Sequence, residues 1–178
     1  LLDYNSILKW MYGKLPMYQN VGPSAYKKDL NNIIKLTNHL NNPHKDFKSI
    51  HIAGTNGKGS TAHMLSSILQ ESKYNVGLYT SPHLVDFRER IKINGVMIEK
   101  DFIVDFFKDN IDFFNHNSFS FFEMTVGLAF EYFKMKSVAI AVIETGMGGR
   151  LDSTNIISPE VSVITNISFD HTKFLGNT

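Results

Sequence analysis

Three stretches of this 178-residue chain carry residue types at spacings that can do chemistry. The first is "HIAGTNGKGSTAH" (51–63), where Gly54, Gly57, Gly59 and Lys58 sit between an apolar run and a helical pattern. A strand that delivers a glycine-rich turn to a helix N-terminus gathers backbone N–H groups around an anion, and the helix dipole adds to the attraction. Gly57 and Gly59 let the backbone approach a phosphate closely and take positive φ. Lys58 would bring a point charge to the β- and γ-phosphates of a nucleotide, and Ser60 a hydroxyl to Mg²⁺. The alternative is a tight strand-to-helix turn with a solvated lysine. The loop also departs from the common glycine, four residues, Gly-Lys-Ser/Thr pattern. Ile52 stands where the first glycine belongs, and Gly59 delays the hydroxyl to Ser60.

The second stretch is "VIETGMGGRLDSTN" (142–155). Glu144 ends an apolar strand, where a carboxylate has no packing role but reaches into the crevice at the carboxyl edge of a sheet. A Mg²⁺ ligand is wanted there, beside a phosphate loop. Gly146, Gly148 and Gly149 allow a tight loop, and Arg150 and Asp152 offer one charge of each sign; a surface ion pair is the plainer reading of those two. The third stretch, "ITNISFDHT" (164–172), places Asp170 and His171 just past another strand. "YTSPHL" (79–84) sets Ser81 at a strand end too, where a Ser-Pro turn is the simpler explanation.

Positioning these groups requires strands alternating with helices. Helical spacing of Tyr4, Ile7, Leu8 and Met11 predicts a first helix over 3–13, and Ser24 can cap a second that runs to Leu40. Strands are expected at 49–53, 76–80, 138–144 and 161–166. Helices are expected from Lys58 to Lys73 (Met64, Leu65, Ile68 and Leu69 inward), from Asp101 to Phe114 and from Phe122 to Lys136. Ile91 and Ile93, then Val96 and Ile98, flank Asn94-Gly95, a strong hairpin signal. The wholly apolar run 138–144 implies a strand covered on both faces. The pattern predicts an α/β fold with a doubly wound, mostly parallel sheet. Phe102, Phe106, Phe107, Phe113 and Phe114 fall on helical stripes and read as core. His39, His44 and His116 read as surface residues, and His51 and His63 have no assigned role.

Composition excludes several classes. A hydrophobic content of 43% with 20% charged residues is ordinary for a globular protein, and the net charge of +1 gives no electrostatic reason to expect nucleic acid or an acidic membrane. The absence of cysteine excludes disulfides, thiolate metal sites and a cysteine nucleophile, and fits a reducing compartment, here expected to be the cytoplasm. No apolar stretch reaches membrane-spanning length. A start at Leu1 and the ending "FDHTKFLGNT" read as a fragment.

Taken together, "GTNGKGS", "YTSPHL…FRERIKING", "FSFFEMTVGLAF" (119–130), "ETGMGGRLDSTN" and "FDHT" resemble, in this order, the folylpolyglutamate synthase/dihydrofolate synthase branch of the Mur ligase superfamily. Glycine after Lys58, where cell-wall Mur ligases usually have threonine, points to the folate branch. The resemblance implies a Mur ligase-like ATP-binding domain over 1–178, with a C-terminal glutamate-ligase domain outside this chain. It implies Thr55, Asn56, Gly57, Lys58, Gly59 and Ser60 around the ATP phosphates, and two Mg²⁺ ions held by Ser60, Ser81, Glu144 and His171. Lys58, Glu144 and His171 would be catalytic. Ser120, Phe121, Phe122 and Glu123, with Leu151, Asp152 and Ser153, would contact a pterin; Tyr18 to Gly22 would help cover it.

The implied activity is an ATP-dependent amide ligase that adds L-glutamate to folates, to dihydropteroate, or to both, through an acyl phosphate, releasing ADP and phosphate. Phosphoryl transfer asks for positioning and charge neutralisation, so no protein nucleophile is needed. The family's carbamylated lysine is expected beyond Thr178, and the 178-residue chain is expected to be inactive alone. Small molecules are the implied partners of a monomer. The alternatives are a Mur-type cell-wall amino-acid ligase and a non-catalytic P-loop nucleotide-binding module.

Overall fold

The computed structural model describes residues 3–13 and 29–177. Tyr18 to Gly22 and the start of the helix expected from Ser24 lie outside the described residues. The elements in chain order are α1 (Tyr4–Gly13), α2 (Asn31–His39), β1 (Lys48–Ala53), α3 (Lys58–Glu71), β2 (Val76–Tyr79), a 3₁₀ turn (Phe87–Arg90), β3 (Ile91–Ile93), β4 (Val96–Met97), α4 (Lys100–Asn115), α5 (Phe121–Met135), β5 (Ile140–Glu144), β6 (Val161–Ile164) and the short α6 (Thr172–Leu175).

The strands form one sheet in the order β4-β3-β2-β5-β1-β6. β2, β5, β1 and β6 run parallel, and the β3–β4 hairpin closes one side antiparallel to β2. This bears out the doubly wound reading. Three of the chemical stretches leave the carboxyl ends of the neighbouring parallel strands β5, β1 and β6, so the topology brings them to one edge. The hairpin turn is Asn94-Gly95, both at positive φ (48° and 80°), the conformation that favours this pair at a two-residue turn.

Two cores flank the sheet. The larger is aromatic: Phe106, Phe107, Phe114, Phe130 and Phe133 pack with α1 and α2 against one face. The aromatic stripes are core, as expected. α5 is buried nearly all round because it lies between the sheet and α2. The smaller core joins Ile50, Ile52, Val76, Leu78 and Val142 to α3. Here the expected inward set needs correction. Met64 and Ile68 face solvent, at 59% and 62% exposure, while the buried positions of α3 are Ala62 and Ser66, with Leu65 and Leu69 partly covered. Two small residues on the inner face let the helix lie close to the sheet, a choice that a count of apolar residues does not anticipate. His44 is half-buried rather than a plain surface residue: burial lowers its pKa, and among the described residues its Nδ1 has no hydrogen-bond partner.

Candidate active site

The backbone of β1 passes through Gly54 and Gly57 into α3. Gly57 sits at φ 82°, in the left-handed region, and its carbonyl accepts the Thr61 N–H of the first helical turn. Gly54 is held by contact as well as conformation: a Cβ there would lie 2.1 Å from Thr165 Oγ1. The segment leaving β6 braces the loop from outside. Thr55 N–H donates to the Asn166 carbonyl, Asn56 N–H to Asn166 Oδ1, and Thr165 Oγ1 donates to the Asn56 carbonyl at 2.7 Å. Thr55 Oγ1 donates to the Ser168 carbonyl and accepts the Ser168 N–H. Lys58 arches back over the loop, with Nζ 2.9 Å from the Gly54 carbonyl and 3.2 Å from that of Thr55.

Glu144 closes β5 beside this loop. It is 4% exposed, and its Oε2 lies 3.6 Å from the place a Cβ on Gly59 would occupy. Gly59 therefore brings the first turn of α3 directly against the carboxylate. The Ser81 N–H donates to Glu144 Oε2 at 3.1 Å, which ties the end of β2 to the end of β5. Among the described residues no cation pairs with Glu144. Burial pushes its carboxyl pKa up, opposed by the Ser81 amide and by the charges of Lys58, His63 and Arg90.

The loop after Glu144 is organised from within. Asp152 is buried, and its carboxylate accepts from the N–H groups of Gly146, Met147 and Thr154 and from the Thr154 hydroxyl at 2.6 Å. It is thus not the surface partner of Arg150, which is exposed and separate from it. Because the Thr154 hydroxyl proton goes to Asp152, Thr154 Oγ1 accepts from His51 Nε2, 2.8 Å away on β1. Burial lowers the His51 pKa, with the Asp152 charge opposing. Sequence reasoning gave His51 and Thr154 no role. The available signal was Asp-x-Thr, a pattern in which side chains close a turn on nearby backbone groups.

An aromatic wall adjoins that loop. Ser120 caps α5: its Oγ accepts the Glu123 N–H, and Glu123 Oε2 accepts the Ser120 N–H. The same Glu123 oxygen takes a bond from Asn32 Nδ2, so this carboxylate is engaged in holding helices. Phe122 packs against Gly146, where an added Cβ would come within 2.6 Å of the ring, and meets Tyr79 edge-on. The structure therefore joins Phe122 and Asp152, from two separate motifs, across Gly146. Phe121 is more deeply buried, stacked by Tyr12 at 5.4 Å. Leu151 and Ser153, which flank Asp152, are half-buried.

A cavity of about 300 Å³ lies between the two glycine loops and the chain leaving β6, with Thr55, Lys58, Gly148, Asp170 and His171 on its walls. His171 is half-exposed beside Asp170, its Nε2 3.7 Å from Asp170 Oδ2. Glu144 is not on this wall. Among the described residues no three carboxylate or imidazole groups converge as a ready metal cluster. Ser81 is tied to Glu144 through its backbone N–H, and Ser60 follows Gly59, which lies against the carboxylate; hydroxyl and carboxylate oxygens are the donor types that suit a hard cation such as Mg²⁺. A buried carboxylate with one hydrogen bond and no counter-charge is what such a cation would satisfy.

A doubly wound sheet, a glycine loop entering a helix N-terminus and a lone acidic residue at the next strand end define a P-loop α/β domain. Residues 52–178 match the Mur ligase middle domain. The chain is 37% identical over 182 residues to a dihydrofolate synthase/folylpolyglutamate synthase of Bacillus subtilis, an alignment covering 98% of this chain and 41% of that protein. Its fold superimposes on a Thermotoga maritima folylpolyglutamate synthase with a TM-score of 0.84 at 41% identity, covering 93% of this chain and 38% of that one. It also superimposes on a folylpolyglutamate synthase in complex with AMPPCP and folate, with a TM-score of 0.87 at 36% identity, covering 99% and 43%. The chain belongs to the Mur ligase middle-domain family, on the side of its folylpolyglutamate and dihydrofolate synthases. It spans about two-fifths of the length of these three proteins.

Proposed function

We propose that this chain is the nucleotide-handling part of an ATP-dependent ligase that adds L-glutamate to a folate, to dihydropteroate, or to both. The observation that carries the reading is the phosphate loop pinned open between β1 and β6 with Glu144 set against Gly59. It is supported by a relative that takes both an ATP analogue and folate.

In the reaction, a carboxylate oxygen of the acceptor forms a bond to the γ-phosphorus of ATP while the bond to the ADP oxygen breaks. The glutamate amine then forms a bond to the acyl carbon, phosphate leaves with the former carboxylate oxygen, and the amine gives up a proton. The N–H groups of residues 55–60 cradle the phosphates, and Lys58 leaves its carbonyl partners to neutralise the charge moving to the leaving oxygen. Ser60, Ser81 and Glu144 would hold one Mg²⁺ and His171 would contribute to a second, supplying positive charge against the phosphates. Phe122, Gly146 and the loop fixed by Asp152 form the pterin side, with Asp152 acting through the loop. We place the reaction in the cytoplasm, in a monomer whose partners are these small molecules. Among the described residues no helix is long and apolar enough to cross a membrane.

The test is glutamate ligation by the full-length enzyme with dihydropteroate and tetrahydrofolate compared as acceptors. ATP-dependent addition to at least one is expected, and activity on neither overturns the folate reading. The 178-residue chain alone is expected not to ligate, since it spans 41% of its relative; turnover by the isolated chain would refute that part.

A further inference from the structure

Beside the site lies a buried cation with no anion. Arg90, at the end of the 3₁₀ turn, is 9% exposed, yet among the described residues no carboxylate pairs with it. Removing a guanidinium from water is costly unless a partner repays it. What Arg90 does have is a scaffold that fixes its plane. Its Nε donates to His83 Nδ1 at 2.7 Å, and its Cζ lies 5.3 Å from the centre of the Phe121 ring. Because His83 Nδ1 accepts, its proton is on Nε2, which faces the Tyr12 hydroxyl at 3.3 Å. Tyr12 in turn stacks on Phe121, closing a ring of four side chains from α1, the β2–β3 connection and α5.

The scaffold fixes Arg90 through Nε, and its charge also acts on the buried Tyr79 hydroxyl, but among the described residues no carboxylate meets the fork. Its place in the fold matters as much. The Arg90 carbonyl accepts the Thr80 N–H, one residue before Ser81, whose own N–H is on Glu144. Arg90 therefore stands between the phosphate side and the aromatic wall of Phe121 and Phe122. A pterin offers only neutral acceptors, which stabilise a buried guanidinium less than an anion does. The acceptor's other end is a carboxylate that has to approach an anionic γ-phosphate, and a fixed cation there removes much of the repulsion.

We propose that Arg90, held in plane by His83 and Tyr12, is the receptor for the reacting carboxylate of the acceptor substrate. This rests on the ligase reading above. Arg90 touches substrate; His83 and Tyr12 are positioning residues.

The experiment uses the full-length enzyme with Arg90→Met, Arg90→Lys and His83→Gln, and reads KM and kcat for acceptor, ATP and glutamate. It also reads the binding of two acceptor forms, the free carboxylate and its carboxamide. Arg90→Met is expected to weaken carboxylate binding about 10- to 100-fold, the scale of charge-assisted hydrogen bonds to a fork, while leaving KM for ATP and glutamate within about twofold. The carboxamide is expected to bind wild type and variant alike. Arg90→Lys and His83→Gln should fall between, and they carry the test if Arg90→Met does not fold. Equal losses for carboxylate and carboxamide, no loss for either, or a loss confined to ATP or glutamate would each overturn the proposal. A wild-type enzyme inactive on every folate acceptor would instead overturn the ligase reading itself.

Discussion

The two glycine loops at this sheet edge look alike in sequence and are built on opposite plans. Both leave the carboxyl ends of adjacent parallel strands, β1 and β5. In the loop after β5, a buried carboxylate sits inside the turn and takes the N–H groups of Gly146, Met147 and Thr154 for itself. The loop after β1 has no internal acid. It is braced from outside by residues 165–168, and its lysine rests provisionally on two carbonyls. Glycine richness therefore says that backbone comes close to something. Whether that something is a ligand or the protein's own side chain depends on the presence of an acceptor within the loop.

The largest effect expected from this contrast is on rate. In the full-length enzyme Lys58→Met should lower kcat about 10²- to 10³-fold, the scale of removing a preorganised charge from a transferring group. Its thermal midpoint should hardly move, because the two bonds lost are partly solvent-accessible. Asp152→Ala should do the reverse. It strands buried donors that had one acceptor, and a loss of about 3 kcal/mol in urea unfolding is expected. A melting loss at Lys58 with none at Asp152 would break the comparison.

Of the two glycines of the first loop, Gly57 isolates conformation, while Gly54, at φ 134°, adds contact to it. Gly54→Ala would drive a methyl into Thr165 Oγ1, at 2.1 Å, and should cost about 2–3 kcal/mol while loosening the brace. Gly57→Ala meets nothing within 4 Å and bears only the strain of φ 82°, about 1–2 kcal/mol. Equal losses in denaturant melts of the two variants would mean that the brace carries no weight.

Much of this edge was legible beforehand, for physical reasons. β1, β5 and the Asn94-Gly95 hairpin announce themselves because burial on both faces and positive φ each select few residue types. Glu144 was legible because a carboxylate closing an apolar strand has no packing reason to be there. The role of Asp152 was not. Nothing local distinguishes an acid that faces a ligand from one that turns inward, and the decision rests on Thr154 and on His51, about a hundred residues away. The partnerships of Arg90 with His83 and Tyr12 were hidden for the same reason. The inner face of α3 was misjudged because small residues lie inward there, and hydrophobic pattern records bulk and not closeness of approach.

The smallest expected effect compares the two buried carboxylates directly. Asp152 has four donors and Glu144 has one, so removing charge should hurt at the first and relieve at the second. The sign follows from linkage. Burial raises the Glu144 pKa above its ordinary value of 4.5, so the folded protein holds this proton more tightly than the unfolded chain. That contribution to stability is present below about pH 4.5 and is lost as pH rises through the raised folded value. At neutral pH the wild-type protein therefore carries the cost of an ionised, underbonded carboxylate, and Glu144→Gln, which keeps an oxygen for the Ser81 N–H, does not. In metal-free full-length protein the variant should melt a few degrees higher at pH 7, with the advantage shrinking towards zero at pH 4, for a difference of about 1 kcal/mol. Mg²⁺ with AMPPCP should then stabilise wild type more than the variant, reversing the order. A variant less stable than wild type at pH 7 without metal would show that Glu144 is held by protein contacts as fully as Asp152, and the two loops would no longer differ in kind.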